Sequence, residues 1–289
     1  MHVFLLGGTG FIGRHVLQRL VEGGHEVIGL ARSEASAERL KAAGAAPLLG
    51  DLRAPGEWAG KVPPVDAVIH AAADFGDDMG EVETALLDVL LPVLGAMPKR
   101  PRFVYTGGCW LFGDTGAQVA TEESLFDPLP AFGWMIDNMQ RVLESPEVEG
   151  VVIHPAMVYS DEGGVFSSFM GALRGGRTVD VIGSPEIVWP LVHADDLADL
   201  YLRTMERARP RSVYNGSAIS GMTVGAIVSG LAAHLGMEHP ELRAVSVDEA
   251  AERLGEWARG YAVSQRLSGD KARVELGWKP RHESAAALF

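Results

Sequence analysis

The chain has 289 residues, 47% hydrophobic and 22% charged, a composition that builds a large folded core and excludes extended disorder. Its 25 Lys and Arg against 38 Asp and Glu leave a net charge of −13, which repels a polyanion and argues against nucleic acid as a partner. The single cysteine, Cys109, has no internal disulfide partner and fits a reducing compartment, and no Cys and His spacing suggests a metal site.

The first apolar run is too short to cross a membrane and runs straight into glycines, and the run over 86–94 is broken by Asp88 and Pro92. A cytoplasmic protein with no membrane partner is expected. Residues 2–6 read as a strand and 11–22 as a helix, joined by Gly7-Gly8-Thr9-Gly10-Phe11-Ile12-Gly13. A strand, a glycine turn and a helix in that order place backbone N–H groups where a dinucleotide phosphate binds. Gly7, Thr9, Gly10, Phe11, Ile12 and Gly13 are therefore assigned to a cofactor.

A second strand over 25–31 ends in Arg32-Ser33, where an NAD site commonly carries an acidic residue. Arg32, with Ser33, suits a ribose 2′-phosphate, which points to NADP or NADPH. A helix over 36–43 and a short strand over 47–49 follow. Gly50-Asp51-Leu52 then brings Asp51 and Leu52 toward the adenine, unless Asp51 is a turn carboxylate. Strands are expected over 67–70 and 102–106, a helix over 81–91 between them, a helix over 132–144 and a strand over 151–153. Beyond about residue 156 come glycine-rich turns, a helix near 165–173, strands over 179–182 and 212–215, and a helix over 223–235. This alternation describes an α/β protein with a Rossmann-type parallel sheet flanked by helices and a smaller C-terminal substrate lobe. Residues 1–155 form mainly the dinucleotide-binding core. Residues 156–289 form mainly the lobe, interleaved with the last core strands.

Together, GGTGFIG at 7–13, GDL at 50–52, HAAA at 70–73, VYTGG at 104–108, HPAMVY at 154–159, VHADDLA at 192–198 and KARVELGWKP at 271–280 resemble the extended short-chain dehydrogenase/reductase family, also described as the NAD-dependent epimerase/dehydratase family. The resemblance spans nearly the whole chain. It implies nicotinamide near the ends of the fourth, fifth and sixth strands, and extends the cofactor assignment to Ala71, Ala72, Ala73 and Thr106.

The family's Ser or Thr after the fifth strand, and its Tyr and Lys four residues apart on the next helix, are missing. Gly107 or Gly108 stands at the first position, Phe132 at the second and Ile136 at the third, and no Tyr-x-x-x-Lys occurs nearby. Phenylalanine donates no proton and isoleucine holds no ribose, so the usual mechanism is unsupported. The replacement candidates are Tyr159, Asp74 and His154, with Tyr159 first because the resemblance brings its segment past nicotinamide. Each also has a structural reading, Tyr159 and His154 as core residues and Asp74 as a loop carboxylate. Asp195 or Asp196 is read as a helix cap before Leu197-Ala198. Gly108, Cys109, Trp110, Phe132, Trp134 and Trp189 suggest an apolar substrate pocket, which disfavours a nucleotide sugar.

The reading that follows is an NADPH-dependent reductase of an apolar, aromatic or polycyclic small molecule with a non-standard proton donor. The alternatives are a non-catalytic NADP sensor or partner-binding protein, and a redox-neutral isomerase or cyclase that keeps NADP as a scaffold. A homodimer is one assembly compatible with each.

Overall fold

The computed structural model describes residues 1–73 and 76–284. The main sheet has seven strands, all paired in parallel: β1 (His2–Leu6), β2 (Glu26–Ala31), β3 (Ala46–Leu49), β4 (Ala67–His70), β5 (Arg102–Thr106), β6 (Glu149–Pro155) and β11 (Val213–Gly216). Their order across the sheet is β11-β6-β5-β4-β1-β2-β3.

Side chains that alternate along each strand sort into two cores. Val3, Leu5, Ile69, Val104 and Ile153 pack against α1 (Phe11–Glu22), α2 (Glu34–Ala42) and α6 (Ala194–Arg207). Phe4, Leu6, Val68, Phe103 and Val152 pack against α3 (Met79–Gly95) and α4 (Trp134–Glu144). Central strands buried on both faces explain the unbroken apolar run of β1.

A four-stranded sheet of β12 (Ile219–Thr223), β10 (Val188–His193), β7 (Met157–Ser160) and β8 (Gly163–Gly164) lies beside a two-stranded sheet of β13 (Leu242–Val245) and β9 (Val179–Ile182). Around them run α5 (Ser167–Arg174), α7 (Val224–His234), α8 (Val247–Leu254) and α9 (Asp270–Leu276). Among the described residues no helix is long and apolar enough to cross a membrane.

Two departures from the sequence reading have local causes. β10, absent from the sequence reading, contains Pro190, which lacks the N–H a strand interior needs, and the β10–β12 register shifts between Trp189 and Leu191. The expected helix over 132–144 divides into a 3-10 turn, Pro130–Phe132, and α4 starting at Trp134. Phe132 is therefore outside the α-helix.

A third correction concerns Asp195 and Asp196. His193 caps α6, its side chain accepting the N–H of Asp195. Asp195 instead meets His15 at 2.7 Å, and Asp196, 2% exposed, accepts the N–H groups of Arg281 and His282 and bonds the His282 ring. Asp196 ties the chain end to α6.

Candidate functional site

The turn after β1 takes this shape because glycines stand at its closest approaches. Gly7 has φ +88°, and a Cβ there would lie 2.5 Å from the carbonyl oxygen of Ala71. A Cβ on Gly13 would sit 2.0 Å from Gly7 O, so the helix could not approach. Gly10 donates its N–H to Gly7 O at 2.8 Å and forms the N-cap of α1, which no side chain caps. The half-buried Thr9, Phe11 and Ile12 surround this helix end. Such an end, with oriented N–H groups and positive dipole, fits a dinucleotide's diphosphate.

At the end of β2, Arg32 is exposed and its side chain meets no partner among the described residues. Ser33 is occupied, its hydroxyl capping α2 through Ser36 N–H at 3.2 Å. Asp51 accepts the N–H of Arg53 at 2.9 Å, the turn role weighed for it, and its carbonyl accepts the Trp58 indole N–H at 2.7 Å. Leu52 packs against the second core. Ala71 donates its N–H to Leu6 O and Ala72 donates to His70 Nδ1, while Ala73 is exposed. Asp74 lies outside the described residues.

Sequence reasoning missed the buried partners below this edge. His70 is 2% exposed, and its Nε2 meets both oxygens of Glu83 at 2.9 and 3.0 Å. Nδ1 faces the Ala72 N–H, which leaves Nε2 as the ring nitrogen placed to donate to the carboxylate. The Tyr105 phenol is pushed well up, first by burial and then by Glu83. Thr106 donates to His70 O at 2.6 Å and shares a 2.5 Å hydrogen bond with the Tyr201 hydroxyl, so its hydroxyl is engaged within the protein.

Two of the three candidate proton donors can be located, and both are enclosed. His154 has no exposed surface, packs between Phe112 and Phe126, and accepts the N–H of Gly108 on Nδ1 at 3.2 Å. Burial pushes its pKa down to about 4, so the ring is neutral at physiological pH. Tyr159 is 3% exposed, stacked on Phe166 at 4.7 Å and edge-on to His193 at 5.3 Å. Its hydroxyl is buried with no hydrogen-bond partner among the described residues, and burial, with Asp196 and Asp161, raises its pKa. Cys109 is likewise buried, and burial pushes its thiol up to about 12.

The aromatic residues form a continuous wall. Phe132 meets Trp110 at 5.1 Å, Trp110 meets Tyr261 at 5.4 Å, Tyr261 meets Trp189 at 5.7 Å and Trp189 stacks with Phe169 at 5.9 Å. Phe132 and Trp189 are buried within it, while Gly108, Trp110 and Trp134 are half-buried. Gln265 fixes the turn carrying Cys109 and Trp110 by donating to Cys109 O at 2.7 Å and Gly113 O at 2.8 Å. Of the expected pocket residues, only Trp134 lines the open cleft of about 770 Å3, between the start of α3, the Pro130–Phe132 turn and the turn at Glu256–Ala262. Trp257 and Tyr261 were missed in sequence. Their signal was a Trp-x-x-x-Tyr pair at one-turn spacing, which chain order alone does not connect to Trp110.

A model of the NAD dependent epimerase/dehydratase family matches residues 3–215. The chain belongs to that family. The family is nicotinamide-dinucleotide dependent. One relative, the 4-hydroxy-2-methyl-3-oxo-4-farnesyl-3,4-dihydroquinoline-1-oxide ketoreductase of Stigmatella aurantiaca, is 26% identical over 97% of this chain and 92% of its own. The fold is shared with the dTDP-glucose 4,6-dehydratase DesIV of Streptomyces venezuelae with NAD bound, at TM-score 0.84 and 22% identity, covering 100% of this chain and 94% of that one. It is shared also with a human epimerase family protein with NADPH, at TM-score 0.81 and 20% identity, covering 100% and 97%.

Proposed function

We propose that this chain is an NADPH-dependent reductase of an apolar, ring-bearing small molecule, working without the family's phenol. The observation that carries the cofactor preference is Arg32, an exposed guanidinium with no partner among the described residues, at the strand end where an NAD site commonly carries an acidic residue. A guanidinium fork on a 2′-phosphate contributes about 1–3 kcal/mol through charge-assisted bonds. Residues 7–13 hold the diphosphate, Asp51 and Leu52 flank the adenine, and Ala71 to Ala73 with Thr106 border the nicotinamide half. The bound dinucleotide supplies a hydride.

The chain's own part at the reacting end is to orient the substrate and exclude water, through the aromatic wall around Trp110. The relative named for reducing a farnesylated dihydroquinoline oxide supports an apolar, ring-bearing substrate. With His154 neutral and Tyr159 sealed, the proton is assigned to Asp74 or to water.

A second reading, a non-catalytic NADP-binding protein, is favoured by Gly108, Phe132 and Ile136 standing together where the family carries its reacting side chains. Stereospecifically deuterated NADPH separates the two. Deuterium transferred to an apolar ketone supports the reductase, and NADPH binding with no transfer across a broad ketone panel supports the sensor. Calorimetry with NADPH and NADH tests the preference. Equal affinities, unchanged in Arg32→Ala, sink the NADP assignment.

A further inference from the structure

We propose that His193 is the acid-sensitive member of a joint that ties α6 both to α1 and to residues 281–284, and that a proton on its ring breaks the α6 cap and frees the segment around His282.

Four parts of the chain meet here. His15 on α1 holds Asp195 at 2.7 Å, and His282 holds Asp196 at 2.8 Å. Between them His193, at the end of β10, caps α6 by accepting the Asp195 N–H on Nδ1 at 3.2 Å. The His193 and His282 rings stack 3.9 Å apart and 25° from parallel. α1 starts at the glycine turn, so the joint reaches the dinucleotide end of the molecule.

The cap works only while Nδ1 keeps its lone pair. A proton there makes it a donor that faces another donor, the Asp195 N–H. The Asp195 carboxylate stands 3.8 Å from Nδ1, so the protonated ring competes for it with His15. A charged His193 also meets, at stacking distance, the His282 ring that is itself paired with a carboxylate, and like charges there repel.

The other groups around the ring are Tyr159 of β7, edge-on at 5.3 Å, Asp161 of the β7–β8 turn, Asp196, and Arg281, 3.9 Å from Asp196. The aspartates favour the proton. Burial, and then His282, outweigh them and hold the His193 imidazole below the ordinary histidine value. The folded ring thus binds a proton less readily than the unfolded one. The stability contributed by the cap is complete above about pH 6.5 and is lost as the pH falls from there through the lower folded value.

The test is NMR of the full chain from about pH 7.5 to about pH 5, following the His193 and His282 rings. Two reporters donate to Asp196, the Trp278 indole N–H at 2.8 Å and the His282 amide at 3.0 Å. In the wild type both are expected to move with the midpoint of the His193 ring. Protection of the His282 amide from solvent exchange, corrected for the intrinsic pH dependence, should fall about tenfold over the same step. In His193→Asn, which keeps a capping acceptor but cannot titrate, that step should vanish. In His282→Gln, which removes the stacked ring, the His193 midpoint should rise. The proposal is overturned by reporters that follow only the His282 ring, by a His193 ring that stays neutral throughout, by loss of protection that persists in His193→Asn, or by a His193 midpoint unmoved in His282→Gln.

Discussion

His154 occupies the space a side chain at position 107 would need: a Cβ on Gly107 would lie 2.3 Å from His154 Nδ1, whereas the nearest atom to a Cβ on Gly108 is 3.9 Å away. Position 108 is thus the one of the two that has room for the family's hydroxyl. Its φ of −164° is extended backbone open to any residue.

Gly107→Ser is accordingly expected to destabilise by about 1–3 kcal/mol through overpacking, and Gly108→Ser by less than about 1 kcal/mol. Urea unfolding of the two variants measures the difference. Equal effects would show that the corner yields more than its packing implies.

Tyr159→Phe removes a buried hydroxyl that has no hydrogen-bond partner among the described residues. Stability is expected to stay level or rise by up to about 1–2 kcal/mol, because an unsatisfied polar group is relieved. Turnover of any reduced ketone should be unchanged. A loss of about 100-fold with intact NADPH affinity would restore Tyr159 as the proton donor.

The neutral His154 makes stability depend on pH in a defined direction. Unfolded, the ring takes a proton near its ordinary pKa of about 6.5; folded, it does so only at about 4. Between those values the unfolded state binds more protons, so stability falls as pH drops through the window, by about 3 kcal/mol across it. Denaturant midpoints recorded from pH 7 to pH 4 should show a slope that is reduced in His154→Gln. An unchanged slope would place the titration elsewhere.

Gln265→Leu should cost about 2–3 kcal/mol, since it strips two hydrogen bonds from buried carbonyls. Chemical denaturation gives the number. A near-neutral effect would mean that the 109–113 turn is held by its aromatic contacts alone.

Residues 2–31 were legible in sequence because every signal there is local. The apolar run of β1, the glycines at 7, 10 and 13 and the helical spacing of Val16, Leu17 and Leu20 act over one strand or one turn. The position of Arg32, just past β2, was readable for the same reason. Farther along, the local signals failed. Pro190 interrupts the strand pattern of β10, and the apolar stripe beginning at Phe132 concealed the 3-10 turn that precedes α4.

By itself, the sequence determined an α/β protein with a parallel sheet and a glycine turn shaped for a diphosphate, and it showed that Phe132 and Ile136 have no proton to give. Only the tertiary structure decided which aromatic rings fill the interior and which, like Trp134, face open space, and that His154 is neutral and Tyr159 sealed. The physical reason is distance along the chain. Backbone periodicity and turn geometry are written within a few neighbouring residues, but burial, pKa and hydrogen-bond satisfaction depend on partners such as Gln265 and Cys109, 156 residues apart, or His15 and Asp195, 180 apart.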